Sequence, residues 1–166
     1  MEYRIREAAT DDAASIADIY NHYIRESVAT FDTEHKTVED RTAWLVGRED
    51  RHPVLVCEDD RGDITAWGAL SPYASRTAWS RTAEVAVYVA DHRVGSGIGP
   101  RLLAALIERA REAGLHTLVS QIVSENEASL RMTERAGFER VGHLSEVGFK
   151  HGRWLDVVMM QLLLER

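Results

Sequence analysis

Apolar and polar residues alternate through YRIRE, Tyr3 to Glu7, which predicts a short half-buried strand. The period then lengthens. Ile16, Ile19, Tyr20, Tyr23 and Ile24 recur three and four positions apart, so a helix follows, with Thr10, Asp11 and Asp12 as its expected cap. SVATFDTEHK breaks that period, and Thr37 with Asp40 then has the pattern of a capping box for a second helix carrying Trp44 and Leu45. PVLVCED and ITAWGALSPY are strand-like runs joined by DRGD, a loop length that suits an antiparallel pair. TAEVAVYVA is a further strand and leads into a glycine run. From Pro100 onward Leu102, Leu103, Leu106, Ile107 and Ala110 repeat with helical spacing, and Gly114 is the stop. HTLVSQIV reads as a buried strand, NEASLRMTERAGF as a helix ended by Gly137, and the remainder as two strands around a glycine-containing turn. The order β α α β β β α β α β β mixes antiparallel neighbours with one β-α-β crossover. It predicts a mixed α/β (α+β) fold in one domain, residues 1–166, without repeats or linkers.

Composition narrows the function classes. A formal charge of −7, spread without long blocks, offers no general attraction for nucleic acid or an anionic membrane. No apolar run approaches the roughly 20 residues that span a bilayer, and MEYRIREAAT lacks a signal pattern, so a cytoplasmic protein is expected. The single cysteine, Cys57, lies among apolar neighbours as a core thiol would, and the seven histidines show no metal-ligand spacing. No metal is expected.

The candidate chemistry lies in ADHRVGSGIGPRLL. Glycines at 95, 97 and 99 directly precede an amphipathic helix, and such a run presents backbone N–H groups beside the positive helix end, a site for an anion such as phosphate. The spacing G-x-G-x-G is neither the dinucleotide fingerprint nor a P-loop, since Gly99 is followed by Pro100 and Arg101. Pro100 removes one N–H from the first turn, a place where proline fits sterically.

The element order, this glycine run and NEASLRMTERAGF together resemble the GNAT superfamily of acetyl-CoA-dependent N-acetyltransferases. IYNHYIRESVATFDTE, GALSPYASRTAWSRTAEVAVYV and VGFKHGRWLDVVMMQLLL are similar to its phosphinothricin and methionine sulfoximine N-acetyltransferases. The resemblance covers nearly the whole chain. It implies the GNAT acyl-CoA N-acyltransferase fold: a mostly antiparallel sheet whose central strands, EVAVYV and HTLVSQIV, splay to admit acetyl-CoA. The pantetheine arm would then pair with Val87, Tyr88 and Val89, the pyrophosphate would lie on Val94, Gly95, Ser96, Gly97, Ile98 and Gly99, and Asn126 would contact the cofactor arm while also capping its helix. Two positions of the loop depart from the pattern: Val94 stands where the family carries Gln or Arg, with Arg93 one residue early, and Pro100 removes an N–H from the first turn of the helix.

Acetyl transfer to an amine needs a free amine, a hydrogen bond to the developing oxyanion and a route for the proton. By resemblance Glu84 is the general base, and Thr133 occupies the position of the acid, Tyr or His in relatives, that would serve the leaving thiolate. Arg76 matches an arginine placed at the substrate, where a guanidinium grips a carboxylate, phosphinate or sulfoximine oxygen; Arg81 is the alternative. Phe31, Tyr73 and Trp79 are either an apolar wall for the substrate or core aromatics. Lys150, with His151, either reaches an anionic substrate or occupies an exposed turn.

The resemblance implies acetyl transfer to the amine of a small amino-acid-like substrate by a homodimer, the apolar LDVVMMQLLL suiting an interface. Two rivals stay open: an acetyltransferase for a protein N-terminus or a polyamine, and a non-catalytic acyl-CoA-binding module.

Overall fold

A computed structural model describes residues 2–165. The elements run β1 (Tyr3–Glu7), α1 (Ala13–Glu26), α2 (Val38–Val46), β2 (Val54–Asp59), β3 (Ile64–Pro72), β4 (Thr82–Val89), α3 (Ile98–Glu112), β5 (Thr117–Val123), α4 (Glu127–Arg135), β6 (Glu139–Lys150) and β7 (Arg153–Leu163). This is the order that periodicity predicts. Seven strands form one sheet in the order β1-β2-β3-β4-β5-β7-β6. Every neighbouring pair is antiparallel except β4 and β5, which the α3 crossover makes parallel.

The unbroken apolar run of β2 follows from coverage of both sheet faces. Leu55 and Cys57 join Leu70, Val85, Leu102, Leu106, Leu118 and Met160 on the α3 face, while Val54 and Val56 join Ile16, Tyr20, Ile24 and Trp67 on the α1 face. Cys57 is a buried free thiol within that core, where desolvation raises its pKa.

Local signals fared unevenly. Thr37 and Asp40 form the anticipated reciprocal capping box, each side chain taking the other's backbone N–H at 3.0 Å. The cap foreseen for α1 does not form as expected. Residues Thr10–Asp12 make a separate 3₁₀ turn, and Asp12 accepts the Ala9 N–H and two bonds from the Arg6 guanidinium at 2.7 and 2.9 Å. A half-buried cationic partner from β1 thus outcompetes the local capping role of the carboxylate. Helix α3 starts at Ile98, two residues ahead of Pro100, with Gly97 in the left-handed region at φ +83° as its N-cap.

Strand β6 is an edge strand, and its outer residues are exposed. Val141, Leu144, Val147 and Phe149 all face solvent, and Trp154 of β7 packs on Phe149 with ring centroids 5.1 Å apart. His151 and Gly152, both at positive φ, close the β6–β7 hairpin as an exposed two-residue turn.

Candidate active site

The sheet opens at one place. Strands β4 and β5 pair only from Thr82↔Thr117 to Glu84↔Val119, after which β4 continues on β3 to Val89 and β5 on β7 to Val123. Two strands that part while remaining in one sheet leave a gap between them, and the gap is a cleft of about 1750 Å³. Its walls are β4 from Glu84 to Val89, β5 from Ser120 to Val123, the segment Ser27 to Phe31 after α1, the glycine run, and the α4 residues Ser129 and Met132.

At the mouth of the cleft the loop before α3 is built from backbone. Gly95 and Gly97 have φ of +82° and +83°, and a Cβ added to either would meet no neighbour within 4 Å. Val94, Gly95, Gly97, Ile98 and Gly99 all line it. Ser96 does not, because its hydroxyl and its N–H both turn back to the Arg93 carbonyl. Asn126 serves two ends: its side-chain oxygen accepts the Ser129 N–H at 3.2 Å as the N-cap of α4, and the residue lines the cleft.

Glu84 stands at the point where the strands part. Its half-buried carboxyl accepts a hydrogen bond from Gln121 Nε2 at 3.3 Å, and desolvation raises its pKa against the lowering effect of that bond. A carboxylate held in this way is a stronger base than a solvated one, and it faces the cleft. Strand alternation puts Tyr88 on the same face as Glu84. Burial pushes the Tyr88 phenol up to about 12, so it stays protonated as a donor at neutral pH. Around it stand Tyr20, Tyr23 and Trp67 with centroids 5.1, 5.3 and 4.9 Å from the Tyr88 ring. Tyr20 donates to Asp32, and Tyr23 donates to the Val89 carbonyl at 2.6 Å, where β4 leaves the sheet.

The structure therefore brings Glu84, Val87, Tyr88, Val89, the glycine run, Asn126 and the exposed Phe31 to one cleft. Five expected substrate or acid positions, Thr133, Lys150, Tyr73, Arg76 and Trp79, lie elsewhere. Thr133 is 2% exposed, and its hydroxyl donates to the Ser129 carbonyl at 2.7 Å, one helical turn back; it does not line the cleft. Lys150 is 4% exposed, and its ammonium donates to the Thr30 carbonyl at 2.7 Å, so it supports the Ser27–Phe31 segment from behind. Tyr73 and Trp79 stack on each other at 5.2 Å beside the exposed Arg76 in the loop between β3 and β4, outside the cleft walls. Arg81 instead donates to the Gly114 carbonyl at 3.1 Å. Sequence reasoning missed Gln121, a polar side chain in a largely apolar strand, and the packing of Tyr20 and Tyr23 around Tyr88, which it had named only for its backbone. Among the described residues no group of metal-ligating side chains occurs.

This sheet, split beside a glycine loop that opens a helix, matches a known class. The chain belongs to the Acetyltransferase (GNAT) domain family, which it matches over residues 5–159, and it is an acetyltransferase. It is 38% identical over 166 residues to the L-methionine sulfoximine/L-methionine sulfone acetyltransferase of Pseudomonas aeruginosa, covering 99% of this chain and 96% of that one. To the phosphinothricin N-acetyltransferase of Streptomyces coelicolor it is 37% identical over 159 residues, 94% of this chain and 93% of that one. Among solved structures, yncA of Salmonella typhimurium with its cofactor acetyl-CoA superposes with a TM-score of 0.95 at 36% identity, covering 99% of this chain and 95% of that one.

Proposed function

We propose that the protein transfers the acetyl group of acetyl-CoA to the amine of a small amino-acid-like substrate of the methionine sulfoximine or phosphinothricin type. The observation that carries this reading is the half-buried Glu84 carboxyl at the end of the β4–β5 pairing, inside a cleft whose other end is a bare-backbone loop. The names of the relatives supply the substrate class.

The residues fit acetyl-CoA. The cleft is large, its mouth offers the amides of Gly95, Gly97, Ile98 and Gly99 at the N-terminus of α3 to a pyrophosphate, and one wall is a β4 edge from which β5 has departed. Acetyl-CoA supplies the activated acyl group. Glu84 takes the proton from the substrate ammonium, directly or through one water, and delivers the amine in its nucleophilic form. Phe31 and Tyr88 shape the acceptor end, and Gln121 holds the Glu84 carboxylate in line. A thiolate with a pKa near 8.5 leaves without a strong acid beside it, which fits a Thr133 occupied elsewhere.

The chain works as one acetyltransferase domain in the cytoplasm, as a homodimer. LDVVMMQLLL, expected to suit the interface, is instead most of β7, an inner strand between β5 and β6 with Leu155, Val157, Val158 and Met160 buried, so support for the dimer is the apolar surface of Val141, Leu144, Val147, Phe149 and Trp154 beside it. The test of the activity is thiol release from acetyl-CoA with methionine sulfoximine, methionine sulfone, phosphinothricin, protein-derived peptides and polyamines as acceptors. Turnover concentrated on the first three supports the reading; turnover on peptides or polyamines alone overturns it.

A further inference from the structure

The glycine loop is tethered to the far end of a different hairpin. Asp59, the last residue of β2, has a buried carboxylate. Its Oδ1 accepts the Arg61 and Asp63 N–H groups, each at 3.0 Å, and so shapes the β2–β3 turn. Its Oδ2 accepts from Arg93 Nη2 at 2.8 Å. Arg93 closes the one-turn helix that follows β4, and its backbone carbonyl is the acceptor for both the N–H and the hydroxyl of Ser96. Ser96 lies between Gly95 and Gly97, the two left-handed residues that turn the loop's backbone into the cleft. A continuous chain of contacts therefore runs from Asp59 through Arg93 to the curl of the loop.

Two features make this chain more than an ion pair. The loop's glycines have no side chains with which to fix their own conformation, and glycine loses more freedom on ordering than any other residue, so the loop's shape must come from neighbours. Moreover, the carboxylate is placed where water does not reach it, so its bond to Arg93 is not weakened by solvent as surface pairs are.

We propose that Asp59 is a positioning residue for acetyl-CoA: through Arg93 it holds the Gly95–Gly99 loop in the shape that receives the cofactor's pyrophosphate. The inference rests on the reading of that loop as the pyrophosphate site. Asp59 touches neither substrate, so its effect belongs to cofactor affinity and not to the chemical step.

Asp59→Asn separates the two roles of the carboxylate. Asparagine keeps the single oxygen that the Arg61 and Asp63 amides need, and presents an NH₂ where Arg93 requires an acceptor. Calorimetric Kd and steady-state KM for acetyl-CoA are expected to rise about tenfold, the scale of one charge-assisted hydrogen bond. The kcat at saturation and the KM for the amine are expected to stay within about twofold of wild type. Arg93→Gln, which leaves the β2–β3 turn untouched, serves if Asp59→Asn folds poorly, and is expected to give the same split. The double variant is expected to be no worse than Arg93→Gln alone, because both act through one contact. Measured below the lowest melting temperature of the set, an acetyl-CoA Kd within twofold of wild type in Asp59→Asn overturns the proposal, as does additivity in the double variant. Gly97→Val, which places a side chain in the loop itself, tells the two readings apart. A raised Kd there with none in Asp59→Asn ends the positioning role alone, and an unchanged Kd in both ends the loop assignment as well.

Discussion

Glu84 lies opposite Val119 in the last pair that β4 and β5 share, so the position of its carboxyl and the opening of the cleft are set by one event in the sheet. The carboxyl sits where backbone pairing stops, one wall of the cleft being its own strand. This placement accords with its raised pKa: burial removes water from the carboxyl and outweighs the stabilisation of its charge by the Gln121 bond.

A base held in this way burdens the fold. A carboxyl whose folded pKa lies above its unfolded value binds its proton more tightly when folded, so stability falls as pH rises from the ordinary glutamate value through the raised one. At neutral pH the ionised Glu84 is therefore destabilising. Glu84→Gln is expected to melt a few degrees higher at pH 7, on a scale of about 2–4 °C per kcal/mol for chains of this size, and to show no such gain at pH 4. Calorimetry at the two pH values measures this directly.

Thr133 is a structural residue in this arrangement. Thr133→Val removes the bond to the Ser129 carbonyl and is expected to cost about 0.5–1.5 kcal/mol of stability while kcat stays within about twofold. A rate loss beyond about tenfold with unchanged stability assigns the hydroxyl to the reaction instead.

Lys150 acts on the acceptor end from behind. Its ammonium, whose pKa burial pushes down, ties β6 to Thr30, and the adjoining Gly148 lies so close to the Phe31 ring that an added Cβ would stand 2.4 Å from it. Lys150→Met leaves the Thr30 carbonyl without this donor and frees Phe31. The expected result is a rise of about 3–10-fold in the KM for the amine, the scale of a small misplacement at a binding wall, with the acetyl-CoA Kd unchanged. Steady-state kinetics with each substrate varied in turn separates the two.

The exposed β6 edge is the face proposed for the dimer. Val147→Asp with Phe149→Asp places two charges on that proposed face, and light scattering coupled to gel filtration is expected to change from about twice the 18.7 kDa chain mass to a single chain. A wild-type protein that runs as one chain at micromolar concentration contradicts the dimer.

The sequence made the element order legible because hydrophobic period is local, and every strand and helix here except the edge strand β6 has one face or both against apolar neighbours. The site was legible where backbone alone makes it, in Gly95, Gly97 and Gly99, and where a helix cap doubles as a wall, in Asn126. It was less so where a distant partner decides. Asp12 looked like a cap until Arg6 claimed it, and Asp59 was no more than the last residue of the strand-like run PVLVCED. Thr133 followed the resemblance into the acid position, but a side chain this short bonds back to its own helix. No local pattern marks where β4 leaves β5, since that depends on pairing between strands joined through a whole helix.

The most direct test is the pH dependence of kcat/KM for the best amine acceptor, measured with wild type and Glu84→Gln at saturating acetyl-CoA. With Glu84 as the base, the wild-type rate falls on the acid side as the carboxyl takes up its proton, at a pH above the ordinary glutamate value. In Glu84→Gln the rate drops by about 10²–10⁴-fold, the usual contribution of a general base, and that acid limb disappears. An identical acid limb in the variant, or a rate within a few-fold of wild type, contradicts the assignment of Glu84.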